Sequence, residues 1–221
     1  MGVSLFLIKM LQLPDKSKLK GYNAMKITVT NKKGVDVNPD MIGLFFEDIN
    51  YGADGGLYAE LLENRSFDFF PTMEFDDISP LAAWSKIGEC TFTSENESPM
   101  NNINPQYVHI KGAAGEGIVN RAYEGIFCEK GKKYDFSIYV KGDARLKIEI
   151  RTDSAVCAGA VVSAEGDAWT KYCLEMESRE TAYDAKLYIT FEEAGECDID
   201  MVSLFPRDTF MGRKNGLRED M

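Results

Sequence analysis

The sequence has few of the side chains on which several common catalytic and metal sites depend. Its 221 residues contain one histidine, His109, so a histidine-based triad or a multi-histidine metal site is excluded within the chain. The cysteines are odd in number and none forms a C-x-x-C pair: Cys90, Cys128, Cys157, Cys173 and Cys197. We therefore predict neither a disulfide framework nor a zinc site, and we expect a reducing compartment.

Cationic residues and long apolar runs are also scarce. Lysine and arginine total 25 against 36 aspartates and glutamates, a net charge of −11, which argues against nucleic acid and anionic membranes as partners. The apolar stretch at residues 3–13 is interrupted by Lys9, is too short to span a bilayer and lacks the pattern of a secretory signal. We interpret residues 1–25 as an N-terminal extension and expect a cytoplasmic protein.

Residues 26–70 are predicted to form two strands and a helix. Residues 26–30 are a short β-type run, and residues 41–46 are a continuous apolar run that suits a strand buried on both faces. Leucines then recur at helical spacing after two glycines: Leu57, Leu61 and Leu62. A single β/α unit cannot bury both faces of its strand, so we expect its sheet partners to lie outside this chain.

Residues 71–206 carry the alternation that is typical of an antiparallel β-sandwich. Apolar and polar residues alternate along 134–141, 145–151 and 185–191, and turns rich in glycine and acidic residues separate these runs. Shorter candidate strands occupy the same region: 106–111, 118–123, 169–177 and 198–205. This number of strands suits a jelly roll.

The final segment, residues 207–221, changes character again. Glycines and basic residues precede residues 217–220, which are predicted to open a helix. We interpret this segment as the lead into a further structural unit.

The most specific local pattern is Gly43-Leu-Phe-Phe-Glu-Asp-Ile-Asn50, an apolar strand that ends in two carboxylates. Parallel α/β folds bind ligands at the carboxyl ends of their strands, where Glu47 would accept hydrogen bonds. The alternative is structural, with Glu47 capping the loop or pairing with a cation such as Arg65. The local pattern leaves both interpretations open.

Together with Asp54-Gly-Gly-Leu-Tyr-Ala-Glu-Leu61 and Asn64-Arg-Ser-Phe67, this pattern resembles the opening of the α-L-arabinofuranosidases of glycoside hydrolase family 51. The resemblance covers almost all of the chain from Met25 onward. It continues through looser motifs: Lys130-Gly-Lys-Lys-Tyr134, Trp169-Thr-Lys171, Asp200-Met-Val-Ser-Leu204, Pro206-Arg-Asp-Thr-Phe210 and Gly216-Leu-Arg-Glu-Asp220.

The resemblance implies a composite fold that is mainly β. Residues 43–47 match the first strand of a (β/α)8 barrel, and residues 26–30 match a strand of a C-terminal β-sandwich. Residues 71–206 are similar to family-4 carbohydrate-binding modules. We therefore expect a jelly-roll β-sandwich inserted after the first strand–helix unit of an incomplete barrel, with residues 207–221 leading into the rest of that barrel.

The resemblance also implies an activity and a site. Family members release terminal arabinofuranosyl groups with retention, use two glutamates on later barrel strands, and need no cofactor. Glu47 matches a glutamate that contacts the arabinofuranose, whereas Asp48 stands where some members have histidine and is given no role. We expect Glu47 to bind substrate, no catalytic residue or metal site in this chain, and an arabinose-containing oligosaccharide or polysaccharide as partner. A homo-oligomer of the full enzyme is left open.

The sandwich has candidate binding residues of its own. Tyr139 and Tyr188 lie on the polar sides of their strands and are candidates for stacking on sugars, with ordinary packing as the alternative. Two acidic pairs, Asp76-Asp77 and Asp198 with Asp200, are interpreted as solvated surface, although modules of this resemblance sometimes hold calcium.

Two other functions stay open beside the enzyme. The first is a non-catalytic carbohydrate-binding protein whose sandwich acts alone. The second is a structural spacer that binds no sugar.

Overall fold

The computed structural model describes residues 43, 47, 51–69 and 79–220. From Glu47 onward these residues belong to one compact unit, Phe45–Met221. The predicted extension 1–25 and the predicted strand 26–30 lie outside the described residues, and so does the predicted barrel strand 41–46 apart from Gly43.

Eleven strands make up most of the described chain and form two antiparallel sheets. In chain order they are β1 (Trp84–Ile87), β2 (Thr91–Glu95), β3 (Tyr107–Gly112), β4 (Gly117–Asn120), β5 (Ile126–Cys128), β6 (Lys133–Lys141), β7 (Ala144–Arg151), β8 (Val156–Ala164), β9 (Thr170–Glu177), β10 (Ala182–Phe191) and β11 (Gly195–Pro206).

The strand order confirms the predicted β-sandwich. One sheet has the order β1-β4-β10-β7-β8, with β5 also paired to β10, and the other has the order β2-β3-β11-β6-β9. Most consecutive strands lie in opposite sheets, as β6 and β7 or β10 and β11 do, while β2–β3 and β7–β8 pair within one sheet. Such crossing connections are those of a jelly roll.

Alternate side chains from the two sheets meet in the core. On β6 the buried side chains are Tyr134, Phe136, Ile138 and Val140, and on β7 they include Leu146, Ile148 and Ile150. The period-two patterns in the sequence therefore predict the inward faces correctly. Burying one such side chain stabilises the fold by about 1.5–3 kcal/mol.

Four strands have no equivalent among the predicted ones: β1, β2, β5 and β8. Strand β8 shows why, because its sequence Val-Cys-Ala-Gly-Ala-Val-Val-Ser-Ala consists of small residues with little alternation. Antiparallel pairing with β7 stabilises β8 as a strand, with Ala144 opposite Ala164 and Ile148 opposite Ala160. Backbone pairing with a neighbour, which no local pattern reveals, supplies its hydrogen bonds.

The predicted helix over Leu57–Leu62 is wrong. Residues 51–69 form turns and isolated bridges, and their backbone groups bond to the sandwich. The amide of Leu61 donates to the carbonyl of Leu204 at 2.9 Å, and the amide of Val202 donates to the carbonyl of Arg65 at 2.9 Å. A helix would close these bonds locally, so packing against β11 overrides the helical spacing of the leucines.

The predicted helix start at 217–220 is wrong as well. Leu217 and Arg218 instead form isolated antiparallel bridges, with Tyr58 and Thr209 respectively. A short 3-10 turn, Phe210–Gly212, precedes them. Within the described ranges no helix is long and apolar enough to cross a membrane.

Leu62 should be as important to stability as a residue of the sandwich, although it precedes the predicted sandwich boundary. Its side chain is fully buried in the same core, so Leu62→Ala should lower the free energy of unfolding by about 2–5 kcal/mol. Leu217 is 47% exposed, and Leu217→Ala should change it by less than about 0.5 kcal/mol. Urea unfolding of both variants measures the difference, and equal midpoints would contradict the packing described above.

Candidate functional site

Glu47 is exposed and lies four residues before Tyr51. The structural alternative paired Glu47 with Arg65. Among the described residues Arg65 instead has its ion pair with Glu60, at 4.0 Å. The carboxylate of Glu47 is therefore accessible, and its role in binding stays a prediction.

The loop that follows Glu47 is tied to the sandwich through Tyr51. The Tyr51 hydroxyl donates to Oε1 of Glu63 at 3.2 Å, and burial together with this carboxylate raises the pKa of Tyr51. Glu63 is buried, and Arg121 donates to both of its oxygens, from Nε at 3.0 Å and from Nη2 at 3.2 Å. Arg121 follows β4, so a residue of the sandwich orients the loop beside Glu47.

Main-chain hydrogen bonds fix Glu63 and Asn64 in place. Asn120 donates from Nδ2 to the carbonyl of Glu63 at 2.8 Å, and Trp84 donates from Nε1 to the carbonyl of Asn64 at 2.9 Å. The Asn64 amide itself donates to the carbonyls of Pro80 and Ala82, both at 2.8 Å. The Asn64-Arg-Ser-Phe67 motif thus has a structural use that its sequence does not reveal.

Glu60 is the second buried carboxylate of this segment, and the sequence analysis did not single it out. Its Oε2 accepts from the Ser203 hydroxyl at 2.6 Å, and its Oε1 accepts from the amides of Leu204 at 2.8 Å and Leu62 at 3.1 Å. Burial raises the pKa of Glu60, while these hydrogen bonds favour its charged form. Both oxygens are engaged, so Glu60 joins segment 51–69 to β11.

The two glycines of Asp54-Gly-Gly56 are required by close approach. A Cβ on Gly55 would lie 2.5 Å from the ring of Tyr123, and one on Gly56 would lie 2.2 Å from the carbonyl oxygen of Tyr51. The ring of Tyr123 in turn meets Tyr51 edge to face, with ring centroids 5.0 Å apart. Glycine here lets the sandwich and the loop touch.

The two predicted stacking residues of the sandwich carry cations on their rings. The Arg151 guanidinium lies 3.9 Å from the ring centre of Tyr188, and the Lys171 ammonium lies 5.4 Å from that of Tyr139. Each contact occupies one aromatic face and competes with a sugar for it. Trp169 donates to the carbonyl of Ser98 and so holds the loop between β2 and β3.

The acidic pairs behave differently from one another. Asp76-Asp77 lies outside the described residues. Asp198 accepts from Lys141 at 3.1 Å and lies 2.9 Å from Nδ1 of His109. Asp200 is fully buried, so its interpretation as solvated surface is wrong.

Within the described residues, Asp200 and Asp68 each have one buried carboxylate oxygen without a hydrogen-bond partner. The other oxygen of Asp200 accepts from the amide of Met201 at 2.6 Å. Burial raises the pKa of Asp200 to about 7, and the nearby Asp68 adds to the rise. In the part of the chain that the structure describes, no three or more acidic, histidine or cysteine side chains form a group that could hold a metal ion.

Comparison with known proteins shows which proteins the chain is similar to. No protein-family model matches the chain. The extracellular exo-α-L-arabinofuranosidase of Streptomyces chartreusis is 36% identical over 192 residues, which cover 86% of this chain and 22% of that enzyme. The chain is homologous to the family 51 α-L-arabinofuranosidases. The motif resemblance to this family is thereby confirmed.

Two further α-L-arabinofuranosidases are similar to the chain. α-L-Arabinofuranosidase 1 of Arabidopsis thaliana is 28% identical over 214 residues, which cover 89% of this chain and 31% of the plant enzyme. The solved structure of an arabinose-bound family 51 α-L-arabinofuranosidase matches with a TM-score of 0.70 and 30% identity, over 80% of this chain and 31% of that one. The chain spans less than a third of the length of each of these relatives.

Asp200 should make the stability of the fold decrease as the pH rises. Its pKa of about 7 in the folded protein lies above the ordinary value of 3.8. Between these values the folded protein holds a proton that the unfolded chain has released. The Asp200 contribution to the free energy of unfolding should therefore fall from about pH 4 to about pH 7 and then level off.

Urea unfolding from pH 4 to pH 8 in calcium-free buffer measures this contribution as the difference between the wild type and Asp200→Asn. Asp198→Asn is the matched control, because Asp198 has cationic partners and lies two residues away on the same strand. The control should keep the wild-type decrease. An unchanged decrease in Asp200→Asn would contradict the assignment.

Proposed function

We propose that this chain is the N-terminal part of a retaining α-L-arabinofuranosidase that acts on arabinose-containing oligosaccharides or polysaccharides. The observation that carries this proposal is the 36% identity, over 86% of the chain, to a relative of that name. Because the chain spans a small part of its relatives, the activity is that of a longer protein that contains this chain.

In this proposal Glu47 contacts the sugar and does not take part in bond breaking. Its exposed carboxylate accepts hydrogen bonds from sugar hydroxyls at the entrance to the barrel. The acid/base and the nucleophile would be two further carboxyl groups about 5–5.5 Å apart. One protonates the leaving oxygen while the other attacks the anomeric carbon, and water then hydrolyses the glycosyl-enzyme.

The two buried carboxylates of segment 51–69, Glu60 and Glu63, are poor candidates for that pair. Glu60 is engaged by Ser203 and by main-chain amides, and Glu63 is engaged by Arg121. This supports the proposal that the catalytic pair lies outside the chain. The sandwich would then hold the loop beside Glu47 in position, which favours a supporting role over independent sugar binding at Tyr139 or Tyr188.

The isolated 221-residue chain should not hydrolyse a nitrophenyl α-L-arabinofuranoside, because in this proposal the acid/base and the nucleophile lie outside the chain and the two-step displacement cannot run without them. A longer protein that continues through the barrel should hydrolyse it. Release of nitrophenol by both purified proteins is the measurement. Turnover by the isolated chain that persists through purification would contradict the proposal that the catalytic pair lies outside this chain. Inactivity of the longer protein would overturn the proposed function.

Glu47→Gln in the longer protein should lower kcat/KM by about tenfold to a few hundredfold, since the lost interaction is worth about 1–3 kcal/mol. The melting temperature should hardly change, because Glu47 is exposed. Glu149→Gln is the matched control: Glu149 is buried on β7 beside Lys147 and Arg151, so its loss should lower stability and spare the kinetics. Lost stability with unchanged kinetics in Glu47→Gln would assign Glu47 to the scaffold.

A further inference from the structure

A cavity of about 340 Å³ lies between segment 51–69 and the turn that carries Tyr123. Its volume is within the range of small-molecule sites, at the low end. Aromatic and polar side chains line it together: Tyr51, Asp54, Glu60, Leu62, Asn64, Arg65, Ser66, Phe69 and Tyr123.

Some of the polar groups in this cavity are free for a ligand. The guanidinium of Arg65 has a single distant ion pair, at 4.0 Å from Glu60, and its side chain is 39% exposed. Within the described ranges the Ser66 hydroxyl has no hydrogen-bond partner, and the Asp54 carboxylate is exposed without a cation beside it. The guanidinium can donate hydrogen bonds to sugar hydroxyls, the carboxylate can accept them, and the serine hydroxyl can do both. These groups therefore suit a neutral sugar.

The aromatic wall of the cavity is fixed before any ligand arrives. Tyr51 is held through its hydroxyl by Glu63, and its ring meets Tyr123 at 69°. Gly55 leaves the space in which the ring of Tyr123 lies. Rigid aromatic side chains that expose apolar surface beside hydrogen-bonding groups suit the CH face and hydroxyls of a sugar.

The cavity is also close to Glu47 along the chain. Tyr51 is the fourth residue after Glu47, so their Cα atoms are at most about 14 Å apart. We propose that the cavity is a second carbohydrate subsite, which holds an uncharged pentose unit of the substrate next to the arabinofuranosyl group that Glu47 contacts. The choice of a pentose rests on the proposed function, whereas the binding of a sugar by the cavity does not require hydrolysis.

The two tryptophans make the test direct. The indole N–H of Trp84 donates to the carbonyl of Asn64, a residue that lines the cavity, whereas that of Trp169 donates to the carbonyl of Ser98, in the loop between β2 and β3. Methyl α-L-arabinofuranoside titrated into the 15N-labelled 221-residue chain should shift the Trp84 indole signal in a saturable manner and leave the Trp169 signal in place. The acyclic polyol L-arabinitol should shift neither signal.

Variants assign the shift to the cavity. Arg65→Met should weaken the apparent affinity by about tenfold or more, because it removes a charged hydrogen-bond donor. Ser66→Ala is the milder second variant and should weaken it severalfold without a change in melting temperature. Arg145→Met is the matched control, since Arg145 pairs with Glu192 away from the cavity, and should bind as the wild type does.

Three results would overturn the proposal: no shift of the Trp84 signal, an equal shift by L-arabinitol, or a shift that persists unchanged in both cavity variants. The outcome is independent of catalysis. An inactive longer protein together with an intact Trp84 response would overturn the proposed function and leave the cavity as a sugar site.

Discussion

The structure depends on one buried carboxylate, Glu60, which connects a segment without regular secondary structure to the last strand of the sandwich. A buried charge is costly unless hydrogen bonds satisfy it, and here Ser203, Leu204 and Leu62 supply them. Through this contact Leu62 and Phe67 enter the core that the two sheets enclose. Segment 51–69 therefore packs as one unit with the sandwich.

This attachment connects the sandwich to the loop that follows Glu47. Arg121 holds Glu63, Glu63 holds Tyr51, and Tyr51 lies four residues after Glu47. In a family 51 enzyme the position of Glu47 would thus depend on packing within the sandwich. In the function proposed above, the sandwich would contribute to substrate binding by positioning Glu47, and this role does not require its outer tyrosines, which carry cations on their rings.

The features of the fold that could be predicted from the sequence are those that a local pattern of residues determines. Alternation along β6 and β7 predicts their buried faces because each strand has one polar side, and the long motif around Glu47 predicts the family. Leu61 fails as a helical residue because the partner of its amide, the carbonyl of Leu204 on β11, lies far along the chain. The burial of Asp200 and the hydrogen bonds of Glu60 are likewise set by tertiary contacts, which a single sequence does not display.

Hydrogen exchange of the isolated chain tests most directly whether segment 51–69 is part of the sandwich. The amides of Leu61 and Leu62, which bond to Leu204 and Glu60, should exchange as slowly as the central amides of β6, because only unfolding of the whole sandwich would expose them. Exchange of these two amides many times faster than that of β6, in a chain whose sandwich remains folded, would show that the segment opens separately and would contradict this account.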